Sequence, residues 1–328
     1  MGAIRKTAFA LGALTIFAAL ADALLARLTH LPALRLFALL ECLALMLGAF
    51  AGLTQRGVIA LLRKAALRSA WIAAALPFAV LVPYLIMALG DGVFRFGAML
   101  RLAGAVAIPT LLLLPDRTRA AERAGWRDFA AMLALALPLP THWLPGVWAW
   151  PSELYFFRPV YMVVVGAYDF LVVRNLQDVG YRLTFGLRDA AIAIVHFAGF
   201  AILAIPLGMA LHFIHPHREL PSILAFFITL SGVYLTVAIP EELFFRGILQ
   251  NFLSKSFKGP HHARWALIVA SVIFGLSHLH HAPVPNWRYA ILATLAGLFY
   301  GHAYDDRRKT SASALTHALV DTVWHFWF

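Results

Sequence analysis

The chain has 328 residues, 62% of them hydrophobic and only 13% charged, with a formal net charge of +11. Soluble domains carry about 25% charged residues, so a water-soluble globule is excluded and a polytopic membrane protein is indicated. One cysteine, Cys42, excludes an intrachain disulfide framework. The basic residues sit in short loops between apolar runs, which argues for membrane orientation and against nucleic-acid binding.

In chain order, residues 1–25 place Arg5 and Lys6 before a long apolar run. The run is longer than a signal-peptide core and more apolar stretches follow, so a retained first helix is predicted. Further apolar stretches cover residues 36–53, 70–89, 102–114, 129–144, 160–173, 190–213, 223–253, 265–279, 289–304 and 312–328. The 129–144 stretch contains Pro138 and Pro140 and reads as a span, a half-helix or an interfacial segment. The predicted fold class is an all-α polytopic membrane protein, a transmembrane bundle of about eleven membrane segments.

Alternating the loops across the membrane tests this count. Of the 27 lysines and arginines, all but Arg27, Arg35, Arg95, Arg101, Arg158, Arg218, Arg288 and the isolated Arg246 fall on one side. That side includes Arg56, Arg63, Lys64 and Arg68, then Lys255, Lys258 and Arg264, then Arg307, Arg308 and Lys309. The asymmetry assigns it to the cytoplasm, with the N-terminus, and the protein to a plasma or inner membrane. Trp143, Trp148, Trp150, Tyr155, Phe156 and Phe157 crowd one opposite loop as an interfacial aromatic belt. Before about residue 177 the spans hold few internal polar groups, and after it His, Glu, Asp and Arg appear inside or beside them. The expected organisation is therefore an accessory bundle over 1–176 and a functional core over 177–328.

The run Pro240-Glu241-Glu242-Leu243-Phe244-Phe245-Arg246 stands between two charge-free stretches, 223–239 and 248–253. An ionisable residue at membrane depth marks a functional site by default. On a helix Glu242 and Arg246 share a face at i,i+4, whereas Glu241 points about 100° away. Glu242 is then neutralised locally, and Glu241 is free to serve as a general base. A helix start at Pro240, with both acids in its first turn, is the competing reading.

Two further elements follow. Phe274 and His278 share a face, and Ser277, His280 and His281 lie beside them, the latter two as interfacial residues. Glu241 precedes Lys255, and His278 follows Arg264, by about 14 residues each. At about 1.5 Å per residue both lie ~20 Å from the shared loop and can meet on antiparallel helices. His317 and Asp321 make an i,i+4 pair in the last span, as a site or as a structural interhelical bond. His302, Asp305 and Asp306 read as a span end next to the basic cluster.

Together these elements resemble the CAAX prenyl protease and bacteriocin-processing (type II CAAX, or Abi) family. Its pattern is Glu-Glu-x-x-x-Arg, then Phe-x-x-x-His, then His-x-x-x-Asn or Asp, matched here by Glu241-Glu242…Arg246, Phe274…His278 and His317…Asp321 over roughly 180–328. The resemblance implies an intramembrane endopeptidase opening toward the cytoplasm. It acts on a CAAX-type or other membrane-associated peptide or protein, in contact with membrane lipid and without nucleic acid. By the same resemblance Glu241 and His278 activate water, and His317 and Asp321 stabilise the oxyanion. Glu242, Arg246 and Phe274 support the site or hold substrate. The family has been described as metalloproteases. An ionised Asp321 only accepts hydrogen bonds. It therefore acts protonated, orients His317, or completes a set of Glu241, His278, His317 and Asp321 around one divalent metal such as zinc. A metal-independent Glu/His route is favoured.

No His-Glu-x-x-His or Gly-x-Ser-x-Gly motif is present. Tyr168-Asp169 and Gly90-Asp91 fall short of an aspartyl-protease pair, because position 89 is Leu89 and position 88 Ala88. The alternatives to a protease are a non-catalytic scaffold or immunity factor of the same fold, and a proton-coupled transporter.

Overall fold

The computed structural model describes residues 32–328 except 91, 139–140, 142, 145–146, 148–156 and 218–219, and omits the side chains of 39, 43 and 157–159. The predicted first helix, Asp91 and most of the aromatic belt (Trp148, Trp150, Tyr155, Phe156) lie outside the described residues.

The described residues form eleven helices and no strand. They are α1 Ala33–Gly52, α2 Arg56–Arg68, α3 Ala70–Gly90, α4 Phe96–Asp116, α5 Trp126–Ala136 and α6 Phe157–Ala167, then α7 Leu187–Ala210, α8 Ile223–Ser256, α9 His262–Leu276, α10 Trp287–Arg307 and α11 Thr310–Trp327. Five of them, α1, α3, α4, α7 and α8, are long and apolar enough to cross a membrane. The protein is an all-α integral membrane protein.

The chain divides into two compact units. The first runs to Ala121 and from Gly125 to Leu176, and the second holds Glu122–Ala124 with Gln177–Phe328. In the first, α2 forms where the sequence reading placed a loop. Val58, Ile59, Leu61, Leu62, Ala65 and Ala66 recur at helical spacing between its basic residues, which gives an amphipathic helix. Arg63 on α2 donates to the carbonyls of Val172 and Val173 at 2.8 and 2.6 Å, where the π-helical extension of α6, Tyr168–Val173, ends. Asp128 and Arg174 make a buried pair at 2.7 Å. Asp169, raised above as half of an aspartyl pair, is buried and accepts from the Thr110 hydroxyl at 2.8 Å.

The second unit positions the polar constellation. α8 and α9 form an antiparallel hairpin, α9 packs on α10, and α10 and α11 both pack on α7. The α9–α10 crossing is tight because Gly275 faces Ala290 and Thr294. A Cβ there would meet the Thr294 hydroxyl and, at 2.5 Å, the Ala290 carbonyl. One end of this unit is tied by charge: Asp189 at the start of α7 pairs with Arg307 at 2.5 Å and Lys309 at 3.0 Å. There too, Arg308 pairs with Asp305 at 3.2 Å, and His196 with Asp306 at 2.9 Å. The other end is tied by backbone groups, with His217 N–H donating to the Trp327 carbonyl at 3.0 Å and Arg288 to the His212 carbonyl at 3.3 Å. Ile194, Val195, Ile202 and Leu203 of α7, with Ile223, Leu224, Phe227 and Ile228 of α8, stay exposed as an apolar sheath suited to lipid.

Candidate active site

α8 is one 34-residue helix with two wide stretches. The segments Tyr234–Ala238 and Leu243–Gln250 are π-helical, and Ile239–Glu242 between them is α-helical. Pro240 explains the first widening, since it has no N–H to donate and its ring crowds the preceding turn. π-Bulges inside helices recur at functional sites. The helix-start reading of Glu241 and Glu242 is thereby corrected: both acids lie in mid-helix, deep in the span.

The two carboxylates have different surroundings, as helical phase predicts. Glu242 is fully buried, and its Oε2 accepts from Arg246 Nε at 3.0 Å and from the Ser313 hydroxyl. Its Oε1 faces His317 Nδ1 at 3.0 Å. Arg246 is also fully buried, with its guanidinium 5.2 Å over the Phe274 ring. Its Nη1 and Nη2 have no hydrogen-bond partner among the described residues. Among the described residues Glu241 pairs with no arginine or lysine. Its ion-pair partner is His317, whose Nε2 lies 4.0 Å away, and its side chain remains 33% exposed.

His317 is the hub. Nε2 lies 3.4 Å from Asp321 Oδ2, so both ring nitrogens face carboxylates. Both can donate at once only when the ring is an imidazolium. Tyr300 stacks on it at 4.5 Å with planes 16° apart, and Phe274 meets it edge-on at 5.8 Å. His278 sits just past the end of α9, where its Nδ1 faces the Phe274 carbonyl at 2.8 Å and its ring lies 4.7 Å from Phe274 and 4.6 Å from Tyr289. Ser277 donates to the same carbonyl at 2.7 Å, with its hydroxyl 3.3 Å from His278 Nδ1.

Glu241, His278, His317 and Asp321 line one cavity of about 240 Å³. Its remaining walls are largely apolar and aromatic, among them Phe200, Phe213, Tyr289, Trp324 and Phe328. The structure thus brings the four predicted residues together, while Glu242, Arg246 and Phe274 form the layer behind them. His281, read from sequence as interfacial, is a cavity residue, 5.7 Å from His278 and 5.1 Å from Tyr289. Ser313, Tyr300 and Tyr289 were missed. Ser313 had a signal, for it stands one helical turn before His317, and Asp321 one turn after. The tyrosines had none, because their partners lie on other helices.

Among the described residues, no group of three or more His, Cys, Asp or Glu is arranged to hold a metal ion. His317 presents Nδ1 to Glu242 at 3.0 Å and Nε2 toward Asp321 at 3.4 Å and Glu241 at 4.0 Å.

Residues 221–323 match the family model of the Rce1-like type II CAAX prenyl endopeptidases. The match spans α8 to most of α11 and contains the four cavity residues and their supporting layer. No curated protein and no solved structure matches the chain.

Proposed function

We propose that the second unit is an intramembrane endopeptidase in which Glu241 activates water. The observation that carries this reading is the unequal fate of two adjacent carboxylates. Glu242 is consumed by Arg246, Ser313 and His317, whereas Glu241 faces the cavity with no arginine or lysine and only the edge of His317 at 4.0 Å. Such a carboxylate suits general-base work, worth roughly 10²–10⁴-fold in rate.

The steps follow from what each group offers. Glu241 takes a proton from a water held between it and His278, and the oxygen attacks a peptide carbonyl. His317, held by Glu242 through Nδ1, presents an Nε2–H donor to the developing oxyanion. Asp321 orients that donor from 3.4 Å. Glu241 then returns the proton to the leaving amine. Arg246 stays behind this layer as counter-charge to Glu242. The donors are fixed before the substrate arrives, so little reorganisation accompanies the reaction. The matched family implies a membrane-associated peptide or protein substrate, and the aromatic walls fit an apolar segment.

Purified wild-type protein and the Glu241→Gln and His278→Ala variants test this in proteoliposomes, against a panel of farnesylated CAAX-type and unprenylated apolar peptides read by mass spectrometry. Wild type cleaves and both variants fall by at least about 10². Equal cleavage by either variant sinks the mechanism.

A further inference from the structure

The resemblance of the motifs implies a cavity open to the cytoplasm, but the placement of charge within this unit points the other way. The cavity residues run from mid-depth of the unit to one of its ends. α7 contributes from Phe197 onward, α9 from Phe274 onward, and α11 from His317 to the chain end at Phe328. α10 contributes only up to Tyr300, and Phe213 and His281 add the loops that follow α7 and α9.

The basic residues occupy the opposite half. Arg182 and Arg188 lie at the start of α7, and Lys255, Lys258 and Arg264 surround the α8–α9 turn. Arg307, Arg308 and Lys309 make the α10–α11 turn. At the cavity end the described residues offer one lysine or arginine, Arg288. Lysine and arginine near span ends set membrane orientation, and they are retained on the cytoplasmic side.

We infer that the cavity opens to the non-cytoplasmic face, and that its substrate is an apolar peptide segment presented on that side, such as an exported chain still held at the membrane. The substrate part rests on the endopeptidase reading; the orientation does not. Glu241 lies about 15 residues from the Ser256 end of α8, roughly 22 Å from the basic turn at 1.5 Å per residue. His278 already stands beyond the last residue of α9, next to the exposed loop that holds Val284. A peptide arriving from the basic side would have to pass the closed layer of Glu242, Arg246 and Tyr300, all essentially without exposure.

Single-cysteine labelling decides the orientation. In a Cys42→Ser background of the full chain, Val284→Cys, Lys258→Cys and Val323→Cys are expressed in bacterial cells and exposed to a membrane-impermeant maleimide. Val284 is 70% exposed, and Val323 lines the cavity without belonging to the proposed catalytic set. Val284→Cys and Val323→Cys react on intact cells, and Lys258→Cys reacts only after permeabilisation. The reverse pattern overturns the orientation. Val323→Cys that reacts only after permeabilisation, or in neither state, overturns the opening. Loss of cleavage chemistry is a separate result: a wild type no more active than Glu241→Gln discards the peptidase reading and leaves the labelling pattern standing.

Discussion

Arg246 follows Glu242 by one helical turn, its Nε 3.0 Å from the carboxylate, and neither side chain is exposed. Removing one partner of a buried ion pair strands the other charge and costs about 3–5 kcal/mol, whereas removing both costs less than the two single losses combined. Glu242→Ala and Arg246→Ala each lower the thermal midpoint in detergent strongly, and the double variant falls by less than the sum. Strict additivity would show that the two groups do not neutralise each other.

Glu241→Gln behaves in the opposite manner. Its carboxylate has no close partner to lose, so the thermal midpoint stays within the range expected of about 0.5 kcal/mol. Cleavage falls by about 10² or more. A large drop in stability would place Glu241 in the packing and remove its assignment as base. The same variant also weighs the scaffold alternative, which predicts full biological activity for it.

The site was legible in proportion to how much of it lies along single helices. Glu242 with Arg246, Phe274 with His278, and His317 with Asp321 are each i,i+4 pairs, and that spacing survives into the structure. Contacts between helices were not legible. Nothing local says that Ser313 and His317 converge on Glu242, or that Tyr300 covers His317. The fold class followed from apolar length alone, yet α2 was read as a loop because its arginines and lysine outweighed its helical periodicity. Pro240 suggested a helix start, whereas a π turn absorbs it within α8.

Asp321→Asn tests how His317 is held. Asparagine keeps an acceptor near Nε2 and adds an amide donor toward the cavity. Cleavage survives in this variant within about tenfold, and Asp321→Ala loses more, because oriented groups at an oxyanion are typically worth 10²–10³-fold. Activity in Asp321→Ala equal to wild type would assign that residue no orienting role.

The proposed Glu241/His278 route uses no metal, so cleavage persists after incubation with a strong chelator; the Nδ1–Glu242 contact by itself would leave His317 Nε2 able to ligate. Loss of activity on chelation, restored by zinc, would require Glu241, His278 and Asp321 to regroup around a metal.

Gly275→Ala tests the tight crossing of α9 and α10. Its methyl would collide with the Ala290 carbonyl and the Thr294 side chain. Overpacking of this kind costs about 1–3 kcal/mol. A lowered thermal midpoint is expected, together with weaker cleavage, because His278 rides three residues further along the same helix end. An unchanged midpoint would mean that the two helices separate freely.

The wide turns of α8 make azimuth a matter of residue count. The π-helical stretch Leu243–Gln250 begins directly after Glu242 and includes Arg246, so its backbone must hold the i,i+4 pair while taking up an extra residue. Inserting one further residue beyond Arg246, in a turn already widened, would turn Gln250 and Asn251 by about 100°. Gln250 would then leave Asp305, which it meets at 3.1 Å, and Asn251 would leave the Gln177 carbonyl, which it meets at 2.8 Å. Further insertions in this stretch are therefore rotations of one end of the helix against the other. A chain that keeps every motif residue but changes the number between the acids and the basic turn would carry the same letters on a differently wound shaft.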